Sequence, residues 1–276
     1  MKYAVVFPGQ GAQEVGMGKD FFDHYAASRA VFERSDDALG FSLSRIIFSG
    51  PDDELKKTEY AQPAILAMSM AVFRCLEEEK GVGFSPEFVA GHSLGEYTAL
   101  VASEALSLED GLRLVHLRGK LMQEAVPLGV GSMAAVIGLD RESVISICES
   151  VSDLGVCQAA NFNAPGQIVI SGEKGAVDKA LSLCKDAGAK RALPLKVSAP
   201  FHSRLMRPVA DRLRESFAQC EWKRPKWPLV ANVSAQEETD VGSIQEALFL
   251  QTFMPVLWSG SVEFIISRGV RHFVEI

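Results

Sequence analysis

Disulfide scaffolds, zinc sites, membrane spans and nucleic-acid surfaces all require residues that this 276-residue sequence has little of. Its five cysteines (Cys75, Cys148, Cys157, Cys184 and Cys220) are odd in number, widely spaced and form no C-x-x-C pair. That pattern argues against a disulfide framework and a zinc site, and buried, reduced thiols are expected. The longest apolar stretches are strand-sized and interrupted, and the opening MKYAVVFPGQ has no basic region ahead of a long apolar run. Neither a membrane span nor a signal peptide is therefore expected, and the cytoplasm is the default location. A net charge of −7 disfavours general nucleic-acid binding. Repeats and low-complexity segments are lacking as well.

What is present is a composition, 47% hydrophobic and 23% charged, that buries a full core. The length suits one large domain, or one domain carrying a smaller insert. Charge is unevenly placed: residues 185–226 hold 11 basic and 4 acidic side chains, leaving 17 basic and 31 acidic elsewhere. Such a contrast marks a docking surface for an acidic partner or an ordinary solvated charge run.

The segment KYAVVF reads as a buried strand that breaks at Pro8-Gly9, and helical spacing follows over 21–39. A helix with Pro63 at its start is expected over 63–79. A short strand at 88–90, the turn GHSLG and a helix over 96–103 come next. Ser107 and Asp110 form a capping signal for a helix over 107–125. From 132 to 196 the pattern is strand, helix, strand, strand, helix, strand, the order of a ferredoxin-like unit. The fold class expected is α/β, a parallel-sheet domain over 1–127 and 198–276 with a ferredoxin-like (βαββαβ) subdomain inserted over 128–197. The chain stops at the strand-like RHFVEI, where a connection and helix would normally follow, so truncation at the C-terminus is expected.

Gly91-His92-Ser93-Leu94-Gly95 fits G-x-S-x-G, a sharp strand-to-helix turn that lifts a serine into an exposed, strained position. A histidine must serve as its base, and five are available. His24 and His116 have polar neighbours and read as solvated; His92 adjoins the serine and diverges from it; His272 reads as a packed core residue. His202, in the SAPFHS loop just after a strand end, is the best candidate. On the helix over 107–125 the neighbours of Arg118 at i±3 and i±4 are Leu114, Val115, Leu121 and Met122, all apolar. A guanidinium on that face needs an anion. The anion is either an Asp or Glu of the protein or a carboxylate on the substrate, held bidentately. The loop FPGQG satisfies neither the P-loop nor the dinucleotide pattern. It suits an oxyanion-hole contribution from Gln10, with an ordinary tight turn as the alternative.

Together FPGQGAQ, GHSLGEY, LVHLRGKLMQ, AANFNAPGQIVISG, VSAPFHSRLM and QTFMPVLW resemble the malonyl-CoA:acyl carrier protein transacylases and the acyltransferase domains of fatty acid and polyketide synthases, in family order over residues 4–276. The resemblance implies a hydrolase-like α/β domain with an inserted ferredoxin-like subdomain. It makes Ser93 the nucleophile, His202 the base and Arg118 the carboxylate binder, with the amides of Gln10 and Leu94 as the oxyanion hole. Gln251 would orient His202 through its main-chain carbonyl in place of a triad carboxylate. Asn161 and Gln167 match a stretch without an assigned chemical role, and Phe201 resembles the malonyl-selective form of its motif. Two departures stand out: Thr252 replaces a usually apolar residue, and the family's glycine-proline-glycine segment after the last motif is not reached.

The implied reaction is ping-pong transfer of malonyl from coenzyme A to the phosphopantetheine thiol of acyl carrier protein, in fatty acid or polyketide synthesis. Malonyl-CoA and acyl carrier protein are then the partners; no metal or redox cofactor is expected, since coenzyme A arrives with a substrate. One rival is an α/β-hydrolase esterase using Ser93, a later acidic residue and His272. The other is a non-catalytic carrier-binding subunit.

Overall fold

The computed structural model describes residues 2–127, 129–195, 197 and 199–276. Leu128 and Ser198, where the expected insert begins and the larger domain resumes, lie outside the described residues, as does Lys196 of the strand expected near 190–197.

Strand β1 (Tyr3–Phe7) is buried over its last four residues. Helices α1 (Lys19–His24) and α2 (Ala26–Leu39) follow. Where helical spacing suggests one helix over 21–39, the chain breaks at Tyr25, which is extended at φ −120° and ψ 123°. Two short helices, α3 (Leu43–Ser49) and α4 (Asp52–Leu55), lead into α5 (Thr58–Lys80). This helix begins five residues before Pro63, so the proline lies inside it and not at its start. A proline there has no N–H for the carbonyl four residues back, that of Glu59. His116 fills the vacancy by donating Nδ1–H to the Glu59 carbonyl at 2.8 Å. The expected solvated His116 is thus half-buried against the rings of Phe41 and Tyr60.

Strand β2 (Phe88–Gly91) turns directly into α6 (Leu94–Ala102), every residue of which is buried. Helix α7 (Leu108–Glu124) is capped as its sequence suggests, the Ser107 side chain accepting from the Asp110 amide. Helices α5, α6 and α7 share one apolar core with β1 and β2, in which Phe7, Leu66, Phe73, Leu100 and Leu112 are fully or almost fully enclosed. Each such side chain contributes roughly 1.5–3 kcal/mol.

The next elements are β3 (Gly131–Ile137), α8 (Arg141–Ser150), β4 (Cys157–Ala164), β5 (Gln167–Glu173), α9 (Lys174–Asp186) and β6 (Arg191–Pro194). The strands form an antiparallel sheet in the order β4-β5-β3-β6. Period-two alternation splits its faces. Ala134, Val136, Ile168 and Ile170 pack with residues of α8 and α9, while Met133, Ala160 and Val169 cluster on the other side with Phe201.

Helix α10 (Arg207–Phe217), strands β7 (Leu229–Val230) and β8 (Glu237–Glu238), helices α11 (Val241–Gln251) and α12 (Trp258–Ser267) and strand β9 (His272–Glu275) complete the chain. The second sheet has the order β8-β7-β2-β1-β9, parallel except for β8. His272 opens β9, all four residues of which are exposed, contrary to the packed core position expected of it. The carboxyl ends of β1, β2 and β7 lie side by side, so the loops carrying Gln10, Ser93 and Asn232 converge, as ligand-binding loops do in open α/β sheets. Among the described residues no helix is long and apolar enough to cross a membrane. All five cysteines are free; Cys157 and Cys220 are half-buried and the others buried.

Candidate active site

Ser93 caps α6 at φ 53° and ψ −100°, a conformation that L-residues rarely adopt. The glycines on either side make the turn possible through close approach. A Cβ on Gly91 would stand 1.9 Å from the Gly95 carbonyl carbon, and one on Gly95 would stand 2.3 Å from the Phe7 oxygen. Backbone strain of this kind persists only where the surroundings over-determine it. Here the Ser93 amide donates to Asn232 Oδ1 at 2.8 Å, and the Ser93 carbonyl accepts from Gln251 Nε2 at 2.7 Å.

The Ser93 hydroxyl lies 2.7 Å from His202 Nε2. His202 Nδ1 lies 2.8 Å from the main-chain carbonyl of Gln251, which can only accept, so Nδ1 carries the proton and Nε2 is left to accept from Ser93. Burial, reinforced by the Arg118 charge, pushes His202 down to about 3. The imidazole is therefore neutral near pH 7 and free to take a proton. The expectation for Gln251 concerned its carbonyl; its side chain is engaged too, with Oε1 accepting from Arg118 at 2.9 Å and Nε2 donating to Glu96 at 2.8 Å.

Arg118 is 1% exposed. Its Nη1 donates to Gln62 Oε1 at 2.9 Å, and its Nη2 donates to Ser93 Oγ at 3.0 Å as well as to Gln251. Tyr97 places its ring 5.5 Å from the guanidinium carbon, and Nε has no acceptor. No carboxylate among the described residues forms an ion pair with Arg118 within 4.0 Å. The acid nearest in effect is the fully buried Glu96, reached through the Gln251 amide. Burial lowers Arg118 from its ordinary value, offset by Tyr97 and Glu96.

The amides of Gln10 and Leu94 donate to no protein acceptor among the described residues. For Leu94 this follows from its place at the first position of α6, where N–H groups have no intrahelical partner and the helix dipole favours negative charge. Ser93, Arg118, Gln10, Asn161, Phe201 and His202 all border one cavity of about 500 Å³ between the two sheets. Met133 and Val169 of the antiparallel sheet close its other wall. Asn161 is buried on β4 and bridges to Val256, whereas Gln167 is exposed and outside the cavity. His92 diverges from Ser93 as expected, bonding Asn163 at 2.9 Å and meeting the Trp258 ring edge-on. Thr252 is accommodated because its hydroxyl donates to the Leu248 carbonyl at 3.2 Å. The esterase alternative required His272 at Ser93; the ring found there is His202.

Four polar residues at the site were not anticipated: Gln62, Glu96, Asn232 and Asn163. Glu96 follows Gly95 on a short helix and looks like an ordinary first-turn acid. Gln62 lies five residues into α5, on the side that faces α7. Asn232 directly follows Ala231 beyond β7, a position for which strand-end placement was the available signal.

The described residues hold no cluster of His, Cys, Asp or Glu able to bind a metal. A family model described as "Acyl transferase domain" matches residues 4–276. The malonyl CoA-acyl carrier protein transacylase of Salmonella typhimurium is 46% identical over 275 residues, covering all of this chain and 88% of its own length. That of Bacillus subtilis is 46% identical over 276 residues, with 86% of its length covered. Among solved structures, the acyl-carrier-protein S-malonyltransferase of Bartonella henselae superposes with a TM-score of 0.97 at 49% identity, covering the whole chain and 88% of that structure. A malonyl-transacylase in complex with its type II PKS acyl-carrier protein superposes at 0.96 with 46% identity and the same coverage.

Proposed function

The chain belongs to the acyl transferase domain family, and from that premise we propose that it moves malonyl from coenzyme A to the phosphopantetheine thiol of acyl carrier protein through an ester on Ser93, in fatty acid biosynthesis. The observation that carries this reading is the placement of one hydroxyl, Ser93 Oγ, between a neutral imidazole nitrogen and a buried guanidinium. A base and a carboxylate binder then serve one reacting atom.

In the first half-reaction His202 Nε2 takes the Ser93 proton and Oγ attacks the malonyl thioester carbonyl. The oxyanion that forms is met by the amides of Gln10 and Leu94. As the C–S bond breaks, the imidazolium returns its proton to the coenzyme A thiolate. In the second half the carrier thiol gives its proton to His202 and attacks the malonyl-serine ester, and Ser93 leaves with that proton. Arg118 holds the free malonyl carboxylate. Pairing there offsets the charge that depresses His202, so the donor strengthens the base that activates the nucleophile. Gln251 fixes the tautomer of His202, the part an Asp plays in serine triads. Phe201 beside the cavity favours an unbranched malonyl, and Asn161 is part of the substrate wall. Nucleophile, base and oxyanion donors are all protein groups, so no cofactor enters the cycle. We read the two sheets as two subdomains with the active site between them, and the protein as cytoplasmic.

Initial-rate kinetics with malonyl-CoA and the holo carrier test the proposal: double-reciprocal lines at fixed carrier concentrations are parallel. Intersecting lines, or release of free malonate as fast as transfer, refute it.

A further inference from the structure

Glu96 is the one acid of α6 and is fully buried, and its two carboxylate oxygens serve two different parts of the site. Oε2 accepts from Gln251 Nε2 at 2.8 Å, and Oε1 accepts from the Asn232 main-chain amide at 3.3 Å. Each partner continues into the chemistry. Gln251 accepts from Arg118 through Oε1 and from His202 through its carbonyl. Asn232 receives the Ser93 amide on Oδ1 and donates Nδ2 to the Gly91 carbonyl at 2.7 Å, tying down both sides of the strained turn.

We infer that Glu96 is a positioning residue for acyl transfer, whose carboxylate sets the orientation of the Gln251 amide, and through it Arg118 and His202, while anchoring Asn232 against the Ser93 turn. The inference rests on the reading of Ser93 as nucleophile. Hydrogen-bond satisfaction shows why a carboxylate is required. An ionised carboxylate accepts on both oxygens, and both of its partners here are donors. A glutamine at this position has one oxygen and one NH2 group, so in either orientation it sets a donor against a donor. The Gln251 amide cannot reverse to compensate. Its oxygen would then face the Ser93 carbonyl and its NH2 would face Arg118 Nη2. A half-satisfied buried network of this kind loses its fixed geometry.

The charged and titratable groups facing Glu96 are Arg118 from α7, Glu238 from β8 and Tyr97 from its own helix. Burial dominates, offset by the bonds from Gln251 and Asn232 and by Arg118, and places Glu96 at about 7. His202 in the free enzyme lies at about 3. The pH dependence of kcat/KM reports groups of the free enzyme. An acid limb near pH 7 therefore belongs to Glu96, the rate falling as its carboxylate is protonated.

The test is the kcat/KM profile for malonylation of Ser93 by malonyl-CoA, from pH 5.5 to 8.5, in wild type and Glu96→Gln. The wild type is expected to lose activity below about pH 7. The variant is expected to be 10- to 100-fold slower at pH 8, with a lower malonyl-to-acetyl ratio and no limb near 7. A variant equal to wild type per folded molecule overturns the inference, as does one that keeps the limb. Should Glu96→Gln fail to fold, two measurements remain: a wild-type profile flat down to pH 5.5, or a Glu96→Asp variant whose rate and limb both equal those of wild type, each overturns it. If wild type itself forms no ester on Ser93, the functional reading fails instead, so the two failures are distinct.

Discussion

Replacing Arg118 by alanine removes a permanently charged fork from beside the nucleophile, and the consequence should differ between two donors that differ by one carboxylate. Malonyl-CoA presents a free carboxylate and acetyl-CoA does not. A charge-assisted hydrogen bond is worth roughly 1.5–3 kcal/mol, or about 10- to 100-fold in rate, and a bidentate contact supplies more than one. Malonyl transfer should therefore fall on the order of 10²-fold in kcat/KM. Acetyl transfer should change little, because two effects oppose. Ser93 Oγ loses the Nη2 contact, while His202 loses a charge that depresses it and becomes a stronger base. Stability should drop as well, by about 2–4 kcal/mol, since Gln62 and Gln251 lose a buried donor and Glu96 loses its counter-charge. Stability alone thus decides nothing, and the ratio of the two rates is the readout. Lysine should restore only part of the ratio, because a point charge cannot reproduce the planar fork. The assay is kcat/KM for both donors into the carrier, with thermal unfolding in parallel. An unchanged malonyl-to-acetyl ratio in a slower, less stable variant would refute the clamp.

Two further outcomes are expected. Lys190, Arg204 and Arg207 are all exposed, so charge reversal at Lys190 or Arg204 should slow transfer to the acidic carrier several-fold, more at low salt, without slowing malonylation of Ser93; insensitivity to both charge and salt would leave the basic stretch an ordinary solvated run. Arg207 is the less clean site, since it pairs with Asp211 and covers the Phe249 and Phe253 rings. His202, held at about 3 against an ordinary 6.5, contributes stability that is present above pH 6.5 and lost as pH falls toward 3. Relative to His202→Gln, wild type should therefore lose ~2–3 kcal/mol between pH 7 and 4.5 in urea unfolding, and a difference independent of pH would contradict the buried neutral imidazole.

The sequence carries the reacting atoms more clearly than their supports, for physical reasons. Gly91 and Gly95 are legible because only glycine fits where backbone meets backbone, and Arg118 because a charge on an apolar helix face is conspicuous. The cap at Ser107 is a local interaction and reads correctly. His116 and Pro63 show the limit of local reading. Each alone suggests a wet helix face and a helix start, yet the histidine supplies the hydrogen bond that the proline cannot, across 57 positions of sequence. Glu96 and Asn232 were invisible for the same reason. Their partners lie 155 and 139 positions away, and no periodicity marks a polar side chain whose burial depends on a distant amide.

The central claim is a covalent intermediate on one hydroxyl, and intact mass after incubation with malonyl-CoA alone examines it without a carrier or coupling enzyme. The account predicts one malonyl group on wild type, mapped to Ser93, and none on Ser93→Ala. An adduct that survives in Ser93→Ala, or one found on a cysteine, would contradict it.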